Sequence, residues 1–120
     1  MRRGKAHLLS CNTQNIDINN QILSYTGGII NGMRDYWPQF EFLANKIAQL
    51  LPDLAGYVGI DVIVDDDEII VVEINPRLTT SYIALHESIG VNPAELIINT
   101  LIKPDFTWPS LQRNLVSLHV

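Results

Sequence analysis

The stretch Val58–Thr80, VGIDVIVDDDEIIVVEINPRLTT, constrains the fold more than any other part of the chain. Two aliphatic, β-branched runs, Val58–Val64 and Ile69–Asn75, flank an acidic turn, which is the pattern of a hairpin. Oxygen-bearing side chains interrupt both runs. Asp61 lies inside the first, Glu73 and Asn75 end the second, and Arg77 follows at once. Ionised carboxylates are seldom buried without a partner. A hairpin carrying two of them therefore needs a cation or a base beside it.

Strand alternation turns this into a register. Ile60, Val62 and Val64 share one face of the first strand, and Gly59, Asp61 and Ile63 the other. A two-residue turn at Asp66–Asp67 pairs Val64 with Ile69 and sets Glu73 and Asn75 among the aliphatic residues. A three-residue turn over Asp66–Glu68 pairs Asp65 with Ile69 and Asp61 with Glu73. That leaves one face wholly aliphatic and gathers Asp61, Glu73 and Asn75 on the other. A one-residue slip flips every side chain, so burial selects the second arrangement. Like charges directly opposite repel, and a divalent cation between them removes the repulsion. Two carboxylates and an amide form an all-oxygen set, suited to Mg²⁺ or Mn²⁺ rather than zinc.

The rest of the chain supplies a packed scaffold. Its 120 residues make one domain at most and equally fit part of one. An apolar fraction of 47% with only 18% charged residues excludes disorder as the main state. A net charge of −5 argues against a nucleic-acid surface but leaves room for a nucleotide whose charge a metal offsets. The lone cysteine, Cys11, allows no internal disulfide; it reads as a structural residue and fits a reducing cytoplasm. No apolar run approaches a membrane span, and Met1-Arg2-Arg3 is not followed by the apolar core of a signal peptide.

In order, Ala6–Gln14 reads as a strand, Asn15–Asn20 as a turn and Gln21–Thr26 as a second strand, broken by Gly27-Gly28; Ile29–Tyr36 reads as irregular. Pro38–Leu51 reads as a helix with the apolar stripe Phe40, Leu43, Ile47, Leu50 and Leu51, ended by Pro52. The acidic tip Asp65–Glu68 lacks the alternating ligands and glycine of a calcium loop and reads as a solvated turn. A short helix over Tyr82–Ile89, capped by Thr80 or Ser81, stops at Gly90; its His86 reads as a surface or packing residue. A further helix, Pro93–Ile102, is capped by Asn92 with Glu95 in the reciprocal position, and its stripe is Ala94, Ile97, Ile98 and Leu101. Pro104–Pro109 is a loop and Leu115–Val120 a final strand. The expected class is α+β, an antiparallel sheet with packed helices.

The segment GYVGIDVIVDDDEIIVVEINPR, Gly56–Arg77, resembles the metal-binding hairpin of the ATP-grasp superfamily: an acidic residue, about a dozen residues, then Glu-x-Asn-x-Arg. The longer EINPRLTTSYIALHESIGVNPAEL is similar to the branch of tyramine–glutamate ligase-like carboxylate–amine ligases. The likeness is tight over Gly56–Thr100 and looser over Ala6–Thr26. It implies that Asp61 binds one Mg²⁺, that Glu73 bridges two and that Asn75 completes the second. Glu73, Asn75 and Arg77 are then the residues directed at ATP, and Arg77, on a phosphate or acyl phosphate, the catalytic one. The implied substrates are ATP, a small carboxylic acid, with glutamate indicated, and an amine. The alternative for Arg77 is a surface ion pair with Glu73 or Asp61.

The resemblance also implies what is missing. The superfamily's phosphate-covering loop, ATP-holding lysines and adenine-reading hinge have no counterpart here; before the hairpin only Lys5 and Lys46 occur, neither in such a context. Residues 1–120 are thus expected to be the C-terminal part of an ATP-grasp domain without its N-terminal ATP-binding half. Such a chain is expected to be inactive alone and open to homo-oligomerisation through uncovered surfaces. A reading from another class is a non-catalytic α+β interaction module with a vestigial acidic cluster.

Overall fold

A computed structural model describes residues 1–119. The chain folds as two antiparallel sheets accompanied by helices. Strands β1 (Thr13–Asn19), β2 (Ile22–Ile30) and β5 (Val116–His119) form one sheet with β2 in the middle; β3 (Gly59–Asp65) and β4 (Glu68–Asn75) form the other. Helix α1 (Trp37–Leu50) follows β2, and α2 (Leu85–Ile89) and α3 (Pro93–Ile102) follow β4. The α+β class expected from the sequence is the one observed.

The hairpin β3–β4 pairs Asp61 with Glu73, but not by the expected route. The tip is a two-residue turn, Asp66–Asp67, with Val64 opposite Ile69. Both turn residues have positive φ, 45° and 66°, as a type I′ turn requires. Continued unbroken, that register would set Glu73 opposite Ile60. Instead Val62 pairs with Val71 and Asp61 with Glu73, leaving Val72 as the extra residue of a β-bulge. On the aliphatic face Ile60, Val62, Val64, Ile69 and Ile74 are half-buried and Val71 is exposed, while Ile63 and Ile70 on the other face are exposed. Burial decided the pairing as the alternation argument requires, and a bulge rather than a longer turn supplies the extra residue.

The first hairpin departs further from expectation. Ala6–Asn12 forms no strand. Its polar groups are met by side chains: Asn45 Oδ1 accepts from the Ala6 amide at 3.1 Å and Asn31 Oδ1 from the Cys11 amide at 3.1 Å. The strand begins at Thr13 and runs through the segment read as a turn; the turn itself is Asn20–Gln21, both at positive φ. Gly27 and Gly28 do not break β2. They are buried within it because β1 and β5 close on either side. A β-carbon on Gly27 would meet the Leu118 carbonyl oxygen, and one on Gly28 the Thr13 carbonyl oxygen. Arg34–Tyr36 is a short 3₁₀ turn leading into α1.

Helix α1 has Pro38 in its first turn and buries Trp37, Ala44, Ile47 and Ala48, whereas Leu50 and Leu51 are exposed. Helix α3 begins as expected, with Asn92 Oδ1 accepting from the Ala94 amide at 3.0 Å. It meets the core through Pro93 and Leu96; Ile98 and Leu101 of the expected stripe are exposed. The core here is Leu85, Ile89 and Leu96 beneath Leu9, Tyr57, Tyr82, Phe106 and Trp108. The expected helix before Gly90 opens as a 3₁₀ turn, Thr80–Ala84, without a side-chain cap, and ends at Gly90 in the left-handed conformation, φ 78°. The final strand forms over Val116–His119, and Val120 lies outside the described residues.

A buried polar knot ties the two halves. Asn31, fully buried at φ 62°, donates to Ser88 Oγ at 2.8 Å and to the Asn114 carbonyl at 3.3 Å. Ser88 Oγ donates in turn to the Asn114 carbonyl at 2.7 Å. Every buried side-chain polar atom among the described residues has a partner. Cys11 is buried beside this knot, and burial pushes its thiol up to about 12. The structural reading of that cysteine holds.

Candidate functional site

The two sheets face each other across a cleft of about 670 Å³. Asp61, Glu73, Asn75 and Arg77, the four residues singled out from the sequence, all line it. Strand alternation puts Asp61 and Glu73 side by side, since directly paired residues hold their β-carbons about 5 Å apart. Asn75 ends the strand opposite Gly59 and is buried; Glu73 and Arg77 are exposed and Asp61 is half-buried.

The chain turns sharply after Asn75. The Arg77 amide donates to the Asn75 carbonyl at 2.8 Å, closing a three-residue turn around Pro76, whose fixed φ suits it. This turn swings Arg77 back over the strand end. Its guanidinium donates to Asn75 Oδ1 at 3.4 Å and to the Leu78 carbonyl at 3.1 Å. Arg77 is thus bonded to an amide and a carbonyl rather than held by either carboxylate, and it keeps donors in hand for another anion.

Asp61 is held at both oxygens. Asn75 Nδ2 donates to Oδ2 at 3.4 Å, and Gln14 Nε2, from the opposite sheet, donates to Oδ1 at 3.1 Å. Both donors are neutral amides, so the carboxylate is oriented without being neutralised. A carboxylate offers about four lone-pair sites, so two remain open. Among the described residues no group of three or more His, Cys, Asp or Glu gathers around a point. The donor set is two carboxylates and the Asn75 amide oxygen, which has a second lone pair beside its bond to Arg77; all are hard ligands, which fits Mg²⁺ or Mn²⁺ with water or substrate oxygens filling the remaining positions.

Beside Arg77 runs a row of hydroxyls. Tyr57 and Thr79 are linked at 3.0 Å, and Thr79 and Ser81 at 3.0 Å. Gly59 makes room for this row, since a β-carbon there would stand 2.5 Å from Thr79 Cγ2. Neither this row nor Gln14 was visible from sequence spacing. Sequence spacing marks Thr80 or Ser81 only as a helix cap and gives Thr79 no role, and a single glutamine on a strand carries no signal. The acidic tip is exposed, with Asp67 accepting from the Tyr36 hydroxyl at 3.3 Å, and His86 is also exposed.

Comparison with known proteins gives the class to which this architecture belongs. The family profile of the ATP-grasp domain matches residues 1–81, and the chain belongs to the ATP-grasp family. The tyramine–L-glutamate ligase of Methanocaldococcus jannaschii is 38% identical over 94 residues, 78% of this chain and 29% of that protein. The ligase of the same name from Methanocaldococcus fervens is 36% identical over 104 residues, 87% of this chain and 33% of that protein. The chain therefore spans about a third of the length of these curated relatives. The crystal structure of an ATP-grasp superfamily protein from Archaeoglobus fulgidus aligns with 93% of this chain and 40% of its own, with a TM-score of 0.57 and 25% identity. No helix among the described residues is long and apolar enough to cross a membrane.

Proposed function

We propose that these 120 residues form the metal-holding part of an ATP-grasp carboxylate–amine ligase. The observation that carries the reading is the bulged hairpin, which keeps Asp61 opposite Glu73 and both beside Asn75 and Arg77 on one cleft. Asp61, Glu73 and Asn75 Oδ1 would hold Mg²⁺ or Mn²⁺, which when bound neutralises phosphate charge. Arg77 is the catalytic residue. Its planar fork engages phosphate oxygens two at a time and draws off charge as it builds.

The reaction class is that of the named relatives, which join L-glutamate to tyramine. In it, a substrate carboxylate oxygen attacks the γ-phosphorus of ATP and ADP leaves, giving an acyl phosphate. The amine nitrogen then attacks the acyl carbon, and phosphate and a proton are released. No protein nucleophile enters, so the protein's part is positioning and electrostatics. Glutamate is the acid we assign and a primary amine the acceptor. The lysines and loop that hold ATP lie outside these residues in this reading, and the isolated chain does not turn over.

Thermal unfolding with and without Mn²⁺ tests the site. At ten times the dissociation constant a site specific to the folded state adds roughly 1.4 kcal/mol. The wild-type chain is expected to show that gain, and Asp61→Asn and Glu73→Gln to lack it. An equal gain in all three chains refutes the assignment, as does ADP formed with an amide product by the isolated chain for the claim of inactivity.

A further inference from the structure

Gln14 lies on β1, 47 residues from Asp61, and its amide crosses from one sheet to the other to reach Asp61 Oδ1 at 3.1 Å. Its cross-strand partner on β2 is Gly28. Paired residues point to the same face, and glycine has no side chain, so nothing from β2 crowds Gln14 at that position. The glutamine is free to extend across the gap.

The chemistry of the donor matters. A lysine or arginine at this place would neutralise Asp61 and repel a cation. A neutral amide fixes the direction of the carboxylate and leaves its full charge. That is the job of the hydrogen-bonding groups that stand behind metal ligands and set their orientation. With Asn75 on Oδ2 at 3.4 Å and the exposed Gln14 on Oδ1 at 3.1 Å, the Asp61 carboxylate meets one neutral amide from each sheet.

We propose that Gln14 is a positioning residue of the metal site, orienting Asp61 from the opposite sheet and thereby coupling cation binding on the hairpin to the β1–β2–β5 sheet. The proposal rests on the metal reading given above. Its consequence is that a cation at Asp61 is felt on β1, in a different sheet from any of the ligands.

Two measurements on the purified chain test it, with Mn²⁺ and Mg²⁺ as the probes. Mn²⁺ affinity is read from water-proton relaxation for the wild type, Gln14→Leu and Asp61→Asn. Losing a group behind a metal ligand typically weakens affinity by tenfold or more. Gln14→Leu is expected to weaken Mn²⁺ about tenfold while its metal-free unfolding midpoint stays at the wild-type value, and Asp61→Asn to abolish saturable binding. In parallel, Mg²⁺ is titrated in amide NMR spectra. The Gln14 side-chain amide and the backbone of Thr13–Asn15 are expected to shift with the same midpoint as Glu73, and to stop shifting in Asp61→Asn.

If Gln14→Leu binds Mn²⁺ within twofold of the wild type while Asp61→Asn does not bind, the role of Gln14 is refuted and the metal site stands. A lowered metal-free midpoint with unchanged affinity also refutes it, since that is a purely structural contribution. If Asp61→Asn binds like the wild type, or the wild type shows no saturable binding, the metal reading itself fails and takes this one with it.

Discussion

Gly28→Ala puts the scaffold under the cleft to its hardest test. Gly28 lies in the central strand of the three-stranded sheet, opposite Gln14 on one side and Leu118 on the other. An added β-carbon falls on the Thr13 carbonyl oxygen, with the Thr13 carbonyl carbon at 3.2 Å and Gln14 Cα at 3.4 Å. The obstacle is backbone and cannot rotate away. A carbon and an oxygen need about 3.3 Å, so β1 and β2 must part by something on the order of an ångström. Parting them loosens the ladder bonds on either side of residue 28, each worth about 1 kcal/mol net. Overpacking strain adds about 1–3 kcal/mol. The sum, roughly 2–4 kcal/mol, is a large share of the ~5–15 kcal/mol that holds a domain together. The melting temperature should fall by about 10 °C.

Urea unfolding followed by the fluorescence of Trp37 and Trp108, the first buried and the second packed against the core, measures this directly, with the slope checked for constancy. Gly59→Ala is the comparator. There the added carbon meets the Thr79 methyl, a side-chain group that can turn aside at the expense of its hydroxyl contacts, so about 1 kcal/mol is expected. A Gly28→Ala chain within about 0.5 kcal/mol of the wild type, or one less affected than Gly59→Ala, would refute the close-approach argument.

Three further outcomes are expected. Cys11 has its thiol raised from 9.0 to about 12 by burial, so its contribution to stability is complete below pH 9 and is lost as pH rises toward 12; alkylation at pH 8 should be slow until denaturant is added, and fast labelling of the folded chain would contradict this. Asn31→Ala strands the Cys11 amide and forces alanine to positive φ, which should lower stability by about 3 kcal/mol in a denaturant titration; Asn31→Gly keeps the backbone conformation and should lose about 1 kcal/mol less. Asp67→Gly at the second position of the I′ turn, where φ is 66°, should raise the urea midpoint by the equivalent of about 0.5 kcal/mol, and a lowered midpoint would show that the Tyr36 contact outweighs the turn preference.

The parts of the fold that were legible are those whose cause is local. Asn92 and Pro93 mark the start of α3, Gly90 ends α2 in a left-handed conformation that glycine adopts without strain, and aliphatic alternation pairs Asp61 with Glu73. The parts that were not depend on chain far away. Gly27-Gly28 reads as a break because glycine weakens an isolated strand; it is a strand interior because β5, some 90 residues on, comes to rest against it. Helical spacing alone points to Ile98 in the α3 stripe, and the packing of α2 decides that Leu96 rather than Ile98 turns inward. Within the cleft, motif spacing singles out Asp61, Glu73, Asn75 and Arg77, and Gln14 carries no such signal. Its contact with Asp61 comes entirely from the meeting of two sheets that no local pattern announces.

The Val72 bulge has a consequence for how this hairpin can vary. With a two-residue turn at the tip, removal of Val72 would join Val71 directly to Glu73 and give an unbroken ladder that still sets Glu73 opposite Asp61. An extra residue has instead been accommodated where it changes neither the tip nor the Asp61–Glu73 pair. The bulge acts as a length buffer. Between the tip and the cleft, the hairpin can gain or lose a residue, at the expense of local twist, without the two carboxylates falling out of phase.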